Sequence, residues 1–146
     1  MEKNKKIYFI SDVHLGSSAL KNNKERERWF ADWLDFISKD VSELYLMGDI
    51  FDFWFEYKKV VPRGFTRILG RLADLSDKGV SIHFFTGNHD LWIFDYLPEE
   101  IGLTLHRKEF VTQINGKNFF LAHGDGLDQK DRGYKLLKKI FNNRSF

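Results

Sequence analysis

Apolar and polar residues along this chain follow two periods, and the switches between them outline its elements. Between Lys5 and Ser11, Ile7, Phe9 and their neighbours form a short apolar run that predicts a strand. The polar stretch Ser17 to Lys24 predicts a loop. From Glu25 to Lys39, Phe30, Trp33, Leu34 and Ile37 recur at spacings of three and four, the period of a helix. Glu25 and Glu27 fall in its first turn, where negative charge complements the helix dipole. Glu43 to Met47 predicts a second strand closed by Gly48, and Val80 to Thr86 a third closed by Gly87. Between them, Arg63 to Lys78 predicts a helix that begins near Pro62 and stops at Gly79. Trp92 to Tyr96 reads as one helical turn. Leu103 to His106 and Glu109 to Ile114 read as short strands, and Asn115-Gly116 is a hairpin turn signal that brings Lys117 to Ala122 back as the second arm. Lys130 to Phe141 reads as a basic amphipathic helix.

Strand–helix–strand–helix–strand followed by a hairpin predicts an α/β fold, a sheet core with flanking helices. In such sheets functional groups gather beyond the C-terminal ends of the strands. No repeat or linker interrupts the pattern.

Composition narrows the class. The 146 residues suit one domain, and 42% hydrophobic with 16% aromatic content excludes a disordered chain. Cysteine is absent, which excludes disulfides, thiolate metal sites and a cysteine nucleophile. The apolar runs fall far short of the roughly 20 residues of a membrane span. The basic start runs directly into charged sequence, unlike a secretory signal, so a cytoplasmic location is expected. The net charge of +2 hides an asymmetry: six basic residues and one acidic residue lie from Lys130 onward, against 17 basic and 20 acidic before it. A basic tail on a mildly acidic body points to a phosphate, lipid or anionic surface contact near the C-terminus, or to a solvated helix face. The acidic body argues against nucleic-acid binding.

The chemistry sits after the strands. Ser11-Asp12-Val13-His14 follows the first, Gly48-Asp49-Ile50-Phe51-Asp52 the second, Gly87-Asn88-His89-Asp90 the third, and His123-Gly124-Asp125 the hairpin. One Asp-x-His is weak evidence, whereas four clusters at four strand ends are hard to obtain by chance. Carboxylate, imidazole and amide oxygen without sulfur suit Mn²⁺, Fe²⁺, Zn²⁺ or Mg²⁺. More than four candidate ligands predict two ions sharing a bridge, a clamp for in-line displacement at phosphorus. Phe51, Phe53, Trp54 and Phe55 read either as core or as the wall of an apolar pocket. His83 and His106 read as structural.

The motifs D-x-H, G-D-x-x-D, G-N-H-D and H-G-D, in this order, resemble the calcineurin-like metallophosphoesterases. The segments IYFISDVHLG, LYLMGDIFDFWFEY, FFTGNHDLW and FLAHGDGLD are similar to the UDP-2,3-diacylglucosamine pyrophosphohydrolases of lipid A synthesis within that superfamily. The resemblance implies that Asp12 and His14 hold one metal, Asn88 and His123 the other, and that Asp49 bridges both. It places His89 over the phosphate as a hydrogen-bond donor, with Asn88 beside it in the catalytic group. Asp52, Asp90 and Asp125 are expected to orient these side chains. The resemblance further implies two divalent cations, with Mn²⁺ favoured, and hydrolysis of UDP-2,3-diacylglucosamine to UMP and 2,3-diacylglucosamine 1-phosphate. That substrate is a nucleotide-linked lipid, so a peripheral location on the cytoplasmic face of the inner membrane is expected, with no obligate protein partner. Residues 1–129 would form the N-terminal part of the phosphoesterase domain, and 130–146 the start of a basic helical lid in which Tyr134, Lys135, Lys138 and Lys139 meet substrate. The family's later G-H-x-H segment has no counterpart among His14, His83, His89, His106 and His123. The fold is therefore expected to be incomplete at its C-terminus. Two other readings stand beside this one: a phosphoesterase for another substrate such as a nucleotide, and an inactive fragment.

Overall fold

The computed structural model describes residues 4–125 and Leu136. The elements run β1 (Lys6–Ile10), α1 (Asn23–Ile37), β2 (Val41–Leu46), α2 (Thr66–Asp77), β3 (Ser81–Phe85), α3 (Tyr96–Ile101), β4 (Thr104–His106), β5 (Phe110–Ile114) and β6 (Lys117–Leu121). The first four strands form a parallel sheet in the order β1-β2-β3-β4, with Ile10 beside Leu46 and Leu46 beside Phe84. Because the strands are parallel and in sequence order, the loops after β1, β2 and β3 leave along one edge.

The sheet's two faces differ because side chains alternate along each strand. Leu44, Leu46, Ile82 and Phe84 point to one face and join a single core with Phe30, Leu34 and Ile37 of α1. Ile68, Leu72 and Leu75 of α2 and Leu97 and Ile101 of α3 enter the same core, so all three helices cover that face. On the other face Tyr45 and Phe85 pack with Leu121 of the β5–β6 hairpin. His83 and His106 belong to this second face. Their rings stack at 5.1 Å, and Nδ1 of His83 lies 2.8 Å from Nε2 of His106.

The hairpin forms as its turn signal predicts, with Ile114 opposite Lys117 and positive φ at both Asn115 and Gly116. Two other expectations fail. The helical turn predicted over Trp92 to Tyr96 is instead a bridge between Trp92 and Phe55, and helix α3 starts only at Tyr96. The cause is Glu56, a buried side chain whose Oε2 accepts the amides of Asp95 and Tyr96 at 3.2 and 3.5 Å. It caps the helix from a distant segment, which local periodicity does not register. Helix α2 begins at Thr66, not at Arg63. Phe65 takes a left-handed φ of 59° and turns its ring onto Phe51 at 5.0 Å, so packing overrides the proline signal. The helix predicted over 130–141 and the boundary at 129–130 lie outside the described residues.

Candidate metal centre

The loops after β1 and β2 are not slack, because strand-like pairing continues past the strands. Asp12 N–H donates to Gly48 O at 3.0 Å, His14 N–H to Asp49 O at 3.0 Å, and Leu15 N–H to Ile50 O at 2.9 Å. Leu15, Ile50 and Phe51 are fully buried beneath this ladder and anchor it to the core. The Arg26 guanidinium of α1 donates to the carbonyl of Val13, between the two candidate ligands. Asp12, His14 and Asp49 all have φ between +50° and +56°, a left-handed conformation uncommon outside glycine. Such backbone persists where surrounding contacts over-determine it, and it clusters at functional sites.

Asp49 is the hub. It is 4% exposed, and its carboxylate faces three other loops. Its Oδ2 lies 3.3 Å from Nε2 of His123 and 3.9 Å from Nε2 of His14. Its Oδ1 accepts the backbone N–H of His89 at 3.0 Å. Ligand atoms of Asp12, Asp49 and His123 lie within 4.8 Å of one another, as do those of His14, Asp49 and His89, so Asp49 belongs to both groups.

The imidazoles are oriented through their second nitrogens. His123 Nδ1 lies 2.8 Å from the carbonyl of Met47, which accepts only, so Nδ1 carries the proton. His89 Nδ1 is likewise committed to the carbonyl of Asp52 at 2.9 Å, and His14 Nδ1 to the carboxylate of Asp52 at 3.2 Å. A ring donating from Nδ1 to an oxygen and keeping Nε2 available is the usual arrangement of a metal-binding histidine. The donor set of carboxylates and Nε2-open imidazoles therefore fits divalent cations.

Electrostatics are set by crowding. Burial pushes the Asp49 carboxyl up, yet the His123 imidazole and the His89 amide outweigh it and leave it below the usual carboxylate value. The bond to Asp49 raises His123 to about 9 against the opposing effect of burial. Asp90 is wholly buried and accepts four backbone amides, those of Gly87, Asp49, Ile50 and Phe51. Burial pushes its carboxyl up to about 6, opposed by those donors.

Glycine is required at two points. A Cβ on Gly87 would stand 2.0 Å from Asp49 Oδ1, and one on Gly48 would stand 2.4 Å from His123 Nδ1. The other expected residues fall as follows. Asn88 is exposed in the loop after β3, between Gly87 and His89. Asp125 lies close enough to His123 to help raise its pKa. Tyr134, Lys135, Lys138 and Lys139 lie outside the described residues. The aromatic run splits: Phe51 and Trp54 are fully buried, while Phe53 and Phe55 are exposed. Glu56 was not singled out by the sequence reading, although an acid inside so apolar a run is itself a signal of a buried, partnered carboxylate.

Comparison with known proteins finds relatives along nearly the whole chain. The chain is 50% identical over 139 residues to a UDP-2,3-diacylglucosamine hydrolase of Porphyromonas gingivalis, covering 94% of this chain and 53% of the relative. It is 34% identical over 138 residues to the protein of that name from Pseudomonas fluorescens, with the same coverage. It is 31% identical over 144 residues to one from Neisseria meningitidis, covering 96% of this chain and 57% of the relative. The chain thus spans about half the length of the curated relatives it matches. A solved structure of a protein of unknown function from Aquifex aeolicus shares the fold at a TM-score of 0.57 and 20% identity, covering 94% of this chain and 70% of that one. The family model for calcineurin-like phosphoesterases matches residues 5–145, and the chain belongs to that family.

Proposed function

We propose that the whole protein hydrolyses the pyrophosphate bond of UDP-2,3-diacylglucosamine, releasing UMP and 2,3-diacylglucosamine 1-phosphate. The observation that carries this reading is Asp49, a nearly buried carboxylate shared by two groups of candidate ligands from separate loops. The relatives' shared name supplies the substrate.

In this reading Asp12 and His14, whose Nε2 lies 3.7 Å from Asp12 Oδ1, would hold one divalent cation, Asn88 and His123 the other, and Asp49 would serve both. Asn88 stands next to the second-nitrogen-anchored His89 and completes the set from the rim. When bound, the two cations supply a nucleophilic water at neutral pH and neutralise charge on the phosphate. Mn²⁺ suits the oxygen and imidazole donors. The chain's own residues do the positioning. Asp52 holds His14 and His89 by their Nδ1 atoms, fixing both rings relative to Asp49. His89, its Nδ1–H given to the Asp52 carbonyl and its ring half exposed, would donate to an entering phosphate from a protonated Nε2. Asp90 ties the β2 and β3 loops together from beneath, and Asp125 adds negative charge beside His123. The protein acts at a membrane surface, where its lipid substrate resides. No helix among the described residues is long and apolar enough to cross a membrane.

The test is UMP release from UDP-2,3-diacylglucosamine with added Mn²⁺, comparing the whole protein with its Asp49→Ala variant. Turnover is expected to be Mn²⁺-dependent and to fall at least about 10³-fold in the variant, as for loss of a shared ligand. Hydrolysis of simple nucleotides with equal efficiency would overturn the lipid substrate. Substantial residual activity in the variant would overturn the role of Asp49.

A further inference from the structure

The segment after Asp52 carries a pattern that the metal centre does not use. In Phe53-Trp54-Phe55-Glu56-Tyr57, successive side chains face opposite ways, as in a strand. The inward pair is locked: Trp54 is fully buried, its Nε1–H donates to Glu56 Oε1 at 3.1 Å, and Glu56 N–H donates to Trp92 O at 3.2 Å. The outward residues are the reverse. Phe53, Phe55 and Tyr57 are 59%, 44% and 51% exposed among the described residues and follow one another on the same side of the segment, so they form a contiguous patch. Trp92 joins them, meeting both Phe53 and Phe55 edge-on at 5.8 Å.

The tip of this ledge is a tight turn closed by two backbone bonds between Tyr57 and Val60, at 3.0 and 2.8 Å. Val60 is exposed there, and the Lys58 ammonium lies 5.3 Å above the Tyr57 ring. From Tyr57 to Phe65 the sequence has Lys58, Lys59 and Arg63, all exposed, and no acidic residue.

We propose that this ledge is a docking surface for an anionic lipid bilayer. Exposed aromatic rings settle at the headgroup level, where one edge is apolar and the other wet. Lysine and arginine beside them are attracted to anionic lipid headgroups. The combination of outward rings and neighbouring positive charge selects a surface that is apolar in depth and negative on top, which a bilayer supplies. The rigid inward pair matters as well, because rings already held outward lose little freedom on docking. The ledge starts one residue after Asp52, whose oxygens hold His14 and His89, so docking would set the metal centre against the lipid surface. That last consequence rests on the proposed lipid substrate, whereas the docking itself does not.

These 146 residues hold no cysteine, so once any cysteine elsewhere in the whole protein is replaced by serine a single labelled cysteine reports one position. Full-length Phe55→Cys protein carrying an environment-sensitive fluorophore would be mixed with vesicles of phosphatidylethanolamine and phosphatidylglycerol, and with phosphatidylcholine vesicles. A label at Asp77→Cys, exposed at the end of α2, serves as the reference. The Phe55 label should shift to the blue on the anionic vesicles only, and the Asp77 label should not. The double variant Phe53→Ser/Tyr57→Ser, checked by circular dichroism, should partition to these vesicles roughly 10- to 100-fold less, as expected for two lost interfacial rings. Lys58→Glu/Lys59→Glu should weaken binding and remove its salt sensitivity. Unchanged partitioning of the aromatic variant, or a silent Phe55 label on protein that has bound, would overturn the assignment. So would normal vesicle binding with a raised KM for the acylated substrate, which would make the ledge an acyl-chain subsite. Vesicle binding is read without turnover, so failure here and failure of the hydrolase reading are separable.

Discussion

Nε2 of His123 lies 3.3 Å from Oδ2 of Asp49, although one residue follows the hairpin and the other follows the second strand of the parallel sheet. In the metal-free protein this contact is an ion pair, because His123 is raised to about 9 and Asp49 is held below the usual carboxylate value. The sign follows from linkage. A histidine whose folded-state pKa exceeds its unfolded value of 6.5 stabilises the fold fully below that value. The contribution disappears as pH rises through about 9. Chelator-treated protein should therefore lose on the order of 1–2 kcal/mol from this pair between neutral and strongly alkaline pH. Urea melts of wild type and His123→Gln across that range check it. The wild type should lose more stability than the variant, and parallel losses would show that the pair contributes nothing.

Gly87→Ala is expected to be more damaging than a typical glycine substitution. The added methyl would overlap the Asp49 carboxylate and backbone, at 2.0 and 2.6 Å, with no flexible side-chain end to move away. Forcing the β3 loop outward should cost about 2–4 kcal/mol and displace the hub of both ligand groups. Thermal melts and equilibrium dialysis against Mn²⁺ should show a lower Tm together with weakened binding. A variant that keeps its Tm and binds Mn²⁺ normally would mean that the loop can yield.

Much of this was legible in the chain itself because it is local. Strand periods, the glycines that close β2 and β3, and Asn115-Gly116 act over a few residues, and each appears in place. Three of the four acidic and histidine clusters could be read because parallel strands in sequence order bring their following loops to one edge. His123 instead follows the antiparallel hairpin and arrives there through the packing of Leu121 on Tyr45 and Phe85. What could not be read depends on distant partners. Glu56 caps α3 from another segment, and Phe65 leaves helical geometry to reach Phe51. The split between buried Trp54 and exposed Phe53 and Phe55 follows from the alternation of an extended segment that apolar content alone hides. The left-handed backbone of Asp12, His14 and Asp49 has no sequence signal, since none of the three is glycine.

His89 offers a test that separates two roles. Its Nδ1 is committed to the Asp52 carbonyl, yet it also lies in the group with His14 and Asp49. Donation to the phosphate requires a second proton, on Nε2, and in that role His89→Gln should lower kcat about 10²- to 10³-fold while leaving metal content unchanged. Turnover assays paired with metal analysis of the purified variant decide between the roles. Loss of an equivalent of metal would instead make His89 a ligand.

Asp90→Asn probes the support beneath the centre. One carboxylate oxygen accepts the amides of Gly87 and Asp49, at 2.7 and 3.2 Å, and the other accepts those of Ile50 and Phe51, at 2.9 and 3.3 Å. A carboxamide can present an acceptor to only one of these pairs. Its NH₂ group must then face two N–H donors in a site with no solvent to relieve the clash. The expected loss is about 2–4 kcal/mol of stability, with Mn²⁺ affinity falling roughly 10- to 100-fold because Asp49 is no longer held by its own amide. Asp90→Ala removes the clash but leaves the amides without acceptors, so it should be comparably unstable. Urea midpoints and Mn²⁺ titrations of both variants check this. If either variant kept wild-type stability, the four amides would have other acceptors, and the β2 and β3 loops would not depend on Asp90 for their approach.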